Sequence, residues 1–316
     1  MLNKQLTIDV VRVTEAAAIA AARLRGRGDE READKVAVDA VHKALNNIAM
    51  SGTVVIGEGV KDEAEKLYLG EKLGTGNGAE IDVAVDALEG NTLTAKARLN
   101  ALSVLAVAEG GSLLKVPGCY MDKIAVGGDL PDGVVDLDRP PQENLKNLAE
   151  AKGVSVEKLT VCVLDRPRNG SLIGKIRDAG AAINLIPDGD IAGVIHAANP
   201  DNTGIDVYMG SGGAQEGVLA AAALRCIDGQ MQGRLILENA YDHKQALEMG
   251  LEDPYKKFTL ADMVSGDVIF AATGVTDGSM LKGVRLGMRR VTTDSLVMRS
   301  ATGSLRWIKN QRRAYK

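Results

Sequence analysis

The stretch Glu80-Ile81-Asp82-Val83-Ala84-Val85-Asp86-Ala87-Leu88-Glu89-Gly90-Asn91-Thr92 decides how the rest of this chain is read. An alternating, β-branched run carries carboxylates to its end, then breaks at Gly90 into a helix-like segment. In a strand, side chains repeat every two residues, so Asp82 and Asp86 are expected on one side. Glu89 follows at the turn, where a glycine permits close approach of backbone to ligand. Carboxylates at a strand end, beside a helix N-terminus, are suited to hold hard cations and a phosphate together. Solvated acids of an ordinary turn produce the same short pattern, so the stretch must be weighed against its companions.

Three companions share its character. Thr53-Val54-Val55-Ile56-Gly57-Glu58-Gly59 is a second β-run ending in a glycine-flanked carboxylate. Glu32 to Asp39 places Asp34 near the start of an amphipathic helix, and Gly212-Gly213-Ala214-Gln215-Glu216-Gly217 sets another acid in a glycine turn that opens an Ala-rich helix. Acids guarded by glycine at several element ends read as parts of one site. The plain alternative for Asp34 and Glu216 is the favourable placement of an acid at a helix start.

Composition excludes several function classes. With 316 residues, 45% of them hydrophobic, the chain can bury a sizeable core, and two domains are expected. No run approaches the ~18 apolar residues that span a membrane, and the N-terminus has no signal-peptide core, so a cytoplasmic protein is expected. A net charge of -4 and 3% aromatic residues give neither a basic footprint nor stacking platforms, so no nucleic-acid partner is expected. The basic tail from Lys309 to Lys316 reads as a solvated end. Cys119, Cys162 and Cys226 lack Cys-x-x-Cys spacing and read as reduced, packed thiols. His42, His196 and His243 have no His-Glu-x-x-His neighbours, which removes support for a zincin site or a Ser-His-Asp triad. Gly170 to Ile176 is one residue short of a P-loop and has no Ser/Thr after its lysine.

The pattern along the chain alternates helix and strand, which argues for a layered α/β fold. Helices are expected at 10–24 and 30–50, strands at 53–57, 81–86 and 101–108, and a helix at 142–152. A second series follows: strand 159–164, helix 170–179, strand 182–186, helix 190–198, strand 205–209 and helix 216–226. The change near residue 155 is the expected boundary between an N-terminal domain, 1–155, and a C-terminal domain, 156–316.

Taken in order, these segments resemble the class II fructose-1,6-bisphosphatases, within the lithium-sensitive sugar phosphatase superfamily. The likeness runs through Val11 to Ala17, Ala37 to Ala40, Val54 to Gly59, Leu67 to Glu71, Asn100 to Val104 and Tyr120-Met121-Asp122-Lys123. It continues through Asp165-Arg166-Pro167-Arg168, Asp188-Gly189-Asp190, Gly217 to Ala222 and Phe270 to Thr276. The resemblance implies an αβαβα sandwich in two domains and a gluconeogenic phosphatase that removes the 1-phosphate of fructose 1,6-bisphosphate. It further implies Mg²⁺ or Mn²⁺ and a homo-oligomer.

Residue by residue, the resemblance implies metal ligation by Asp34, Glu58, Asp86, Glu89 and Glu216, an all-oxygen set suited to those ions rather than to zinc. It implies substrate contacts from Glu89, Gly90, Asn91, Tyr120, Arg166, Pro167, Arg168, Asp188, Gly189, Asp190 and Gly213. Read alone, the two arginines could also form surface ion pairs, Asp188-Gly189-Asp190 a plain turn, and Tyr120 a packed ring with a wet hydroxyl. Where the family has Asp-Pro-x-Glu/Asp-Gly-Thr, this chain has Asp86-Ala87-Leu88-Glu89-Gly90-Asn91. Asn91 thus replaces the threonine that helps orient the attacking water, and Thr92 is its neighbour. Val60 replaces a glutamate, and Ala87, Glu65 and Gln215 stand at family prolines. Two other activities remain open on these grounds: sedoheptulose-1,7-bisphosphatase, alone or in a dual enzyme, and a catalytically weak sugar-phosphate-binding protein.

Overall fold

A computed structural model describes residues 1–62 and 64–314. The chain opens with α1 (Leu6–Ala22), α2 (Glu30–Leu45), β1 (Ser51–Ile56), β2 (Lys72–Leu73), β3 (Glu80–Glu89), α3 (Asn91–Ala95) and β4 (Leu102–Glu109). It continues with β5 (Tyr120–Val126), α4 (Pro141–Lys152), β6 (Thr160–Leu164), α5 (Gly170–Asp178), β7 (Ala182–Ile186), α6 (Asp190–Ala197), α7 (Pro200–Thr203) and β8 (Val207–Gly213). Then come α8 (Ala214–Cys226), β9 (Gln230–Ile236), α9 (Ala240–Glu248), β10 (Phe258–Thr259), α10 (Leu260–Met263), β11 (Val268–Gly274), β12 (Arg285–Leu286), β13 (Arg290–Arg299) and β14 (Ser304–Arg313).

These elements form a mixed α/β protein of two compact units. One comprises Met1–Leu113 with the chain from Ser265 onward, the other Leu114–Val264. Residue 155, where the sequence pattern changes, lies inside the second unit, between α4 and β6. The change of pattern read at that point is the start of a βαβ series within one sheet. The true crossings, near 113 and 264, fall in short irregular links with no compositional break.

The first unit is built on a mixed sheet in the order β12-β13-β11-β4-β3-β1-β2, with β14 along β13. β1 and β3 run parallel, whereas along β3, β4, β11 and β13 each strand is antiparallel to its neighbour. The Ala-rich α1 lies against β11, β4 and β13, its small side chains allowing a close approach. Asp29 caps α2 by accepting the Glu32 N–H at 2.9 Å, and Ala33, Ala37, Val41 and Leu45 bury one stripe at i, i+4 spacing. The helix stops five residues before the expected Met50, because Asn46 turns to accept the Gly74 N–H at 3.2 Å. The basic tail is not a loose end: Ser304–Arg313 is a full strand on β13, and Tyr315 and Lys316 lie outside the described residues.

The second unit has a mixed sheet in the order β10-β9-β5-β8-β6-β7. β8, β6 and β7 are parallel, and β5 is antiparallel between β8 and β9. Residues of alternate parity take opposite faces. Ile124, Val126, Val161, Val163, Val207 and Met209 bury with the apolar sides of α4 and α5. On the other face, Gly193 of α6 sits so close to Cys162 and Tyr208 that a Cβ would stand 3.0 Å from Sγ and 3.3 Å from the ring. Gly217 of α8 comes as near to Met121 and Lys123. The Cys162 thiol is pushed up to about 12 by burial and that of Cys119 to about 11; Cys162 and Cys226 are buried and Cys119 is half-buried.

Gly174 of α5 has only open space around the position of a Cβ. Gly174→Ala should therefore stabilise the protein by roughly 0.5–1 kcal/mol, through lower unfolded-chain entropy, as a rise in urea midpoint would report.

Candidate active site

The decisive local feature of the first unit is a β-bulge at the end of β3. Asp86 is paired across from Val104, but the next partner pair is Glu89 with Leu102. Three steps on β3 thus match two on β4, and one extra residue has been inserted. Residues directly opposite in an antiparallel pair share a face, and Val104 and Leu102 share theirs. Asp86 and Glu89, which an unbroken strand would send to opposite sides, are therefore turned to the same side. Asp82 shares that parity but lies toward the other end of the strand, buried and accepting the Leu113 N–H at 3.1 Å. Its role is structural.

Because β1 runs parallel to β3, their carboxyl ends are neighbours. Glu58, just beyond β1, accepts a hydrogen bond from the backbone of Ala87 within the bulge, and Asp34 of α2 lies close enough to repel it. Gly57 is needed for this path, since a Cβ there would stand 2.0 Å from the Leu67 carbonyl. Burial, reinforced by the Asp34 charge, lifts the Glu58 carboxyl to about 7. Burial also raises Asp34, and a hydrogen bond from the Asn91 side chain opposes that rise. Gly90 adopts φ 92° to begin α3, and a Cβ there would meet Leu93 at 2.8 Å. Asn91 and Thr92 are the first two residues of that short helix, so Asn91 does occupy the expected position and is turned to Asp34. Among the described residues, no three acidic, His or Cys side chains close into a finished metal shell. Asp34 and Glu58 are held as neighbours that repel one another, and Asp86 and Glu89 share one face of the adjoining strand end. That donor set fits a hard divalent cation, which would neutralise the repulsion.

In the second unit, the chain passes from β6 to β7 through α5 on one face, then to β8 on the other side of β6 through α6 and α7 on the opposite face. The carboxyl ends of β6 and β8 therefore flank a topological switch point, where open α/β sheets bind ligands. Residues 165–168, 188–190 and Gly213 lie at the carboxyl ends of β6, β7 and β8, and Tyr120 pairs with Gly213 from the start of the antiparallel β5. After β6, Pro167 starts a single 3₁₀ turn ending at Asn169. The buried Asn169 amide donates to Leu164 O at 3.0 Å and to Ser211 O at 3.2 Å, and its oxygen accepts the Ser211 N–H at 2.8 Å. This fixes the arginine loop to β8.

The two arginines are not aimed at one point. Arg168 lays its guanidinium 4.2 Å from the centre of the Tyr120 ring and donates from Nε to Ser211 O at 2.9 Å. Arg166 reaches Asp188 at 3.9 Å. Asp188 is raised by burial, against the pull of Arg166, and accepts its neighbour Gly189 N–H at 3.2 Å. Gly189, at φ 83°, begins α6 with Asp190. Asp190 is buried and ion-paired to Lys123. Glu216, in the first turn of α8, folds back over Gly213, where a Cβ would stand 1.8 Å from Oε2. Burial and the nearby Asp190 raise the Glu216 carboxyl, while Lys123 and its own backbone N–H lower it.

The structure thus places Asp34 beside Glu58 and Asn91, with Asp86 and Glu89 on one face of the adjoining strand end, in the first unit. In the second it groups Tyr120 with Arg168, Arg166 with Asp188, and Asp190 with Gly213 and Glu216. Sequence reasoning missed Lys123, Asn169 and Ser211. Lys123 had a readable signal: it shares strand parity with Met121 and Ala125, so a lysine was assigned to an apolar face. Nothing in the local pattern marked Asn169 or Ser211.

A family profile described as "Bacterial fructose-1,6-bisphosphatase, glpX-encoded" matches residues 4–312. The D-fructose 1,6-bisphosphatase class 2/sedoheptulose 1,7-bisphosphatase of Synechococcus sp. (strain JA-3-3Ab) is 42% identical, over 97% of this chain and 95% of its own length. The fructose-1,6-bisphosphatase 1 class 2 of Escherichia coli (strain K12) is also 42% identical, over 98% of this chain and 95% of its own. A likeness that runs through both units over nearly the whole chain places it in the class II, glpX-type fructose-1,6-bisphosphatase family.

Proposed function

We propose that this chain is a fructose-1,6-bisphosphatase acting in gluconeogenesis, hydrolysing the 1-phosphate of its substrate with Mg²⁺ or Mn²⁺. The observation that carries this reading is the set of carboxylates at the adjoining ends of β1 and β3, with the bulge turning Asp86 and Glu89 to one side. Asp34, Glu58, Asp86 and Glu89 would hold a cation in the first unit, and Glu216 is read as a ligand on the second. Bound there, divalent ions neutralise phosphate charge and make water a stronger nucleophile near neutral pH. The chain's own contribution is placement. Asn91 is positioned by Asp34 to orient the attacking water, and Thr92 follows it. Gly90 gives the phosphate access to the backbone at this turn. Water adds to phosphorus as the bond to the sugar oxygen breaks, leaving fructose 6-phosphate and inorganic phosphate.

The sugar and its second phosphate are assigned to Tyr120, Arg166, Pro167, Arg168, Asp188, Gly189, Asp190 and Gly213. Arg168, exposed and braced on Tyr120, is the primary partner of the non-reacting phosphate. Asp190 acts through Lys123, given its buried ion pair. The family's αβαβα sandwich, its two-domain assembly, a homo-oligomer and a cytoplasmic location belong to the same proposal. No helix among the described residues is long and apolar enough to cross a membrane.

Phosphate release from fructose 1,6-bisphosphate, with and without Mn²⁺ or Mg²⁺, tests the assignment, and full turnover in excess chelator would refute it. Sedoheptulose 1,7-bisphosphate belongs in the same panel, since the Synechococcus relative is named for both activities. Arg168→Ala should weaken the bisphosphate far more than a sugar monophosphate, by roughly thirtyfold for a charge-assisted contact of about 2 kcal/mol. Equal losses would make the arginine merely structural.

The weak-binder reading rests on Asn91, whose side chain engages Asp34 and has no hydroxyl to relay a proton. Asn91→Thr should raise kcat about tenfold with little change in KM, because the restored hydroxyl acts mainly in the transition state. Should Thr92→Val abolish activity while Asn91→Thr does nothing, the orienting role belongs to Thr92.

A further inference from the structure

We propose that Lys123 is an internal cation that positions Glu216 for metal ligation, a role distinct from any contact with substrate. This inference rests on the reading of Glu216 as a ligand. Lys123 sits in the middle of β5, pointing to the α6 and α8 face, with 1% of its surface exposed. An ammonium has three donors and no tolerance for a dry environment without partners. Two of its partners are explicit. Nζ is ion-paired with the Asp190 carboxylate at the start of α6, and it donates to the carbonyl of Gly213 at 2.9 Å. One charge therefore ties β5 to the first turn of α6 and to the link between β8 and α8.

That link is where Glu216 is set. Gly213 is the residue over which the Glu216 carboxylate folds, so holding its carbonyl fixes the peptide beneath the ligand. The surrounding glycines show how tightly the arrangement is built. A Cβ at Gly212 would stand 2.2 Å from Asp190 Oδ2 and 2.9 Å from Lys123 Nζ. A Cβ at Gly217 would stand 3.2 Å from Lys123 Cδ. Gly212 is thus cleared for Lys123 and Asp190, Gly213 for Glu216, and Gly217 for Met121 with the Lys123 stem beside it. Lys123 is ion-paired to Asp190 and also acts on Glu216, so one cation faces two carboxylates and a net negative charge is left for an incoming cation to meet.

Removing Lys123 alone would strand Asp190 in the interior and endanger the fold. The informative variant is Lys123→Met with Asp190→Asn, which removes both charges and keeps their volumes. Mn²⁺ binding by calorimetry, on the full-length protein with unchanged circular dichroism, should weaken at least tenfold in this double variant. Lys123→Arg should lose less, because a guanidinium keeps the charge. The distinguishing arm is Glu216→Gln, alone and combined with the double variant. Once Glu216 cannot ligate, the double substitution should cost no further Mn²⁺ affinity, whereas a general structural role would add its own loss. Wild-type Mn²⁺ affinity in the double variant, or fully additive losses, would overturn the proposal. Wild-type affinity in Glu216→Gln alone would instead overturn the ligand assignment, and with it the premise for Lys123.

Discussion

Glu89→Gln is expected to reduce metal-dependent phosphate release by at least roughly 100-fold, the scale of losing one preorganised charge-stabilising group. The exchange is nearly isosteric, so a residue only 5% exposed keeps its packing and the melting temperature should stay close to that of the parent. What is lost is one negative oxygen on the face that the bulge shares between Asp86 and Glu89. The matched control is Asp82→Asn, at the same strand parity but bonded to the Leu113 N–H. It should cost stability, about 1–3 kcal/mol if the buried acceptor is poorly replaced, and leave Mn²⁺ affinity intact. Calorimetric metal titration together with urea unfolding separates the two. The reverse pattern, with Asp82 controlling metal and Glu89 controlling stability, would show that the shared face had been assigned to the wrong acids.

A second large effect is expected from adding a single methyl group at Gly213. The backbone there, φ -61° and ψ 142°, is open to any residue, so Gly213→Ala introduces no conformational strain. Its Cβ would nevertheless stand 1.8 Å from Glu216 Oε2. The carboxylate is the far end of a flexible side chain and will swing aside at little cost to the fold. Thermal stability should therefore hardly change, while Mn²⁺ affinity falls at least tenfold and turnover by roughly 100-fold, as for loss of one charge-stabilising group. A protein that melts early yet binds Mn²⁺ normally would place the contact in the fold rather than in the site.

Much of the second unit was legible because its elements are short and sharply punctuated. The β6-α5-β7-α6 series follows the expected ranges to within about two residues. The acids of β1 and β3 were legible too, since glycines marked both turns. The bulge was not. Ala87 and Leu88 carry no signal that one of them is an extra residue, because register is a property of the partner strand β4. The unit boundaries were hidden for a related reason. β4 completes its pairing only with β11, far along the chain, and no local composition reports a partner that has yet to be reached. Asp190 shows the limit of analogy: its place in the turn was read correctly, but the buried Lys123 that claims it lies on another strand.

The interrupted first unit has a consequence for how the protein is made. β3 and β4 emerge early, yet the other edge of β4 finds its partner only when Val268–Gly274 has been synthesised. The continuous second unit is complete by then. At roughly 5–20 residues per second, the hydrophobic edge of β4 stays open for many seconds on the ribosome. An uncovered apolar strand is a template for pairing with other chains, so chaperone dependence and misassembly should concentrate in this interval. Closure is then a late event fixed by the C-terminal strands: chains truncated before β11 would carry a finished second unit and a first unit unable to fold.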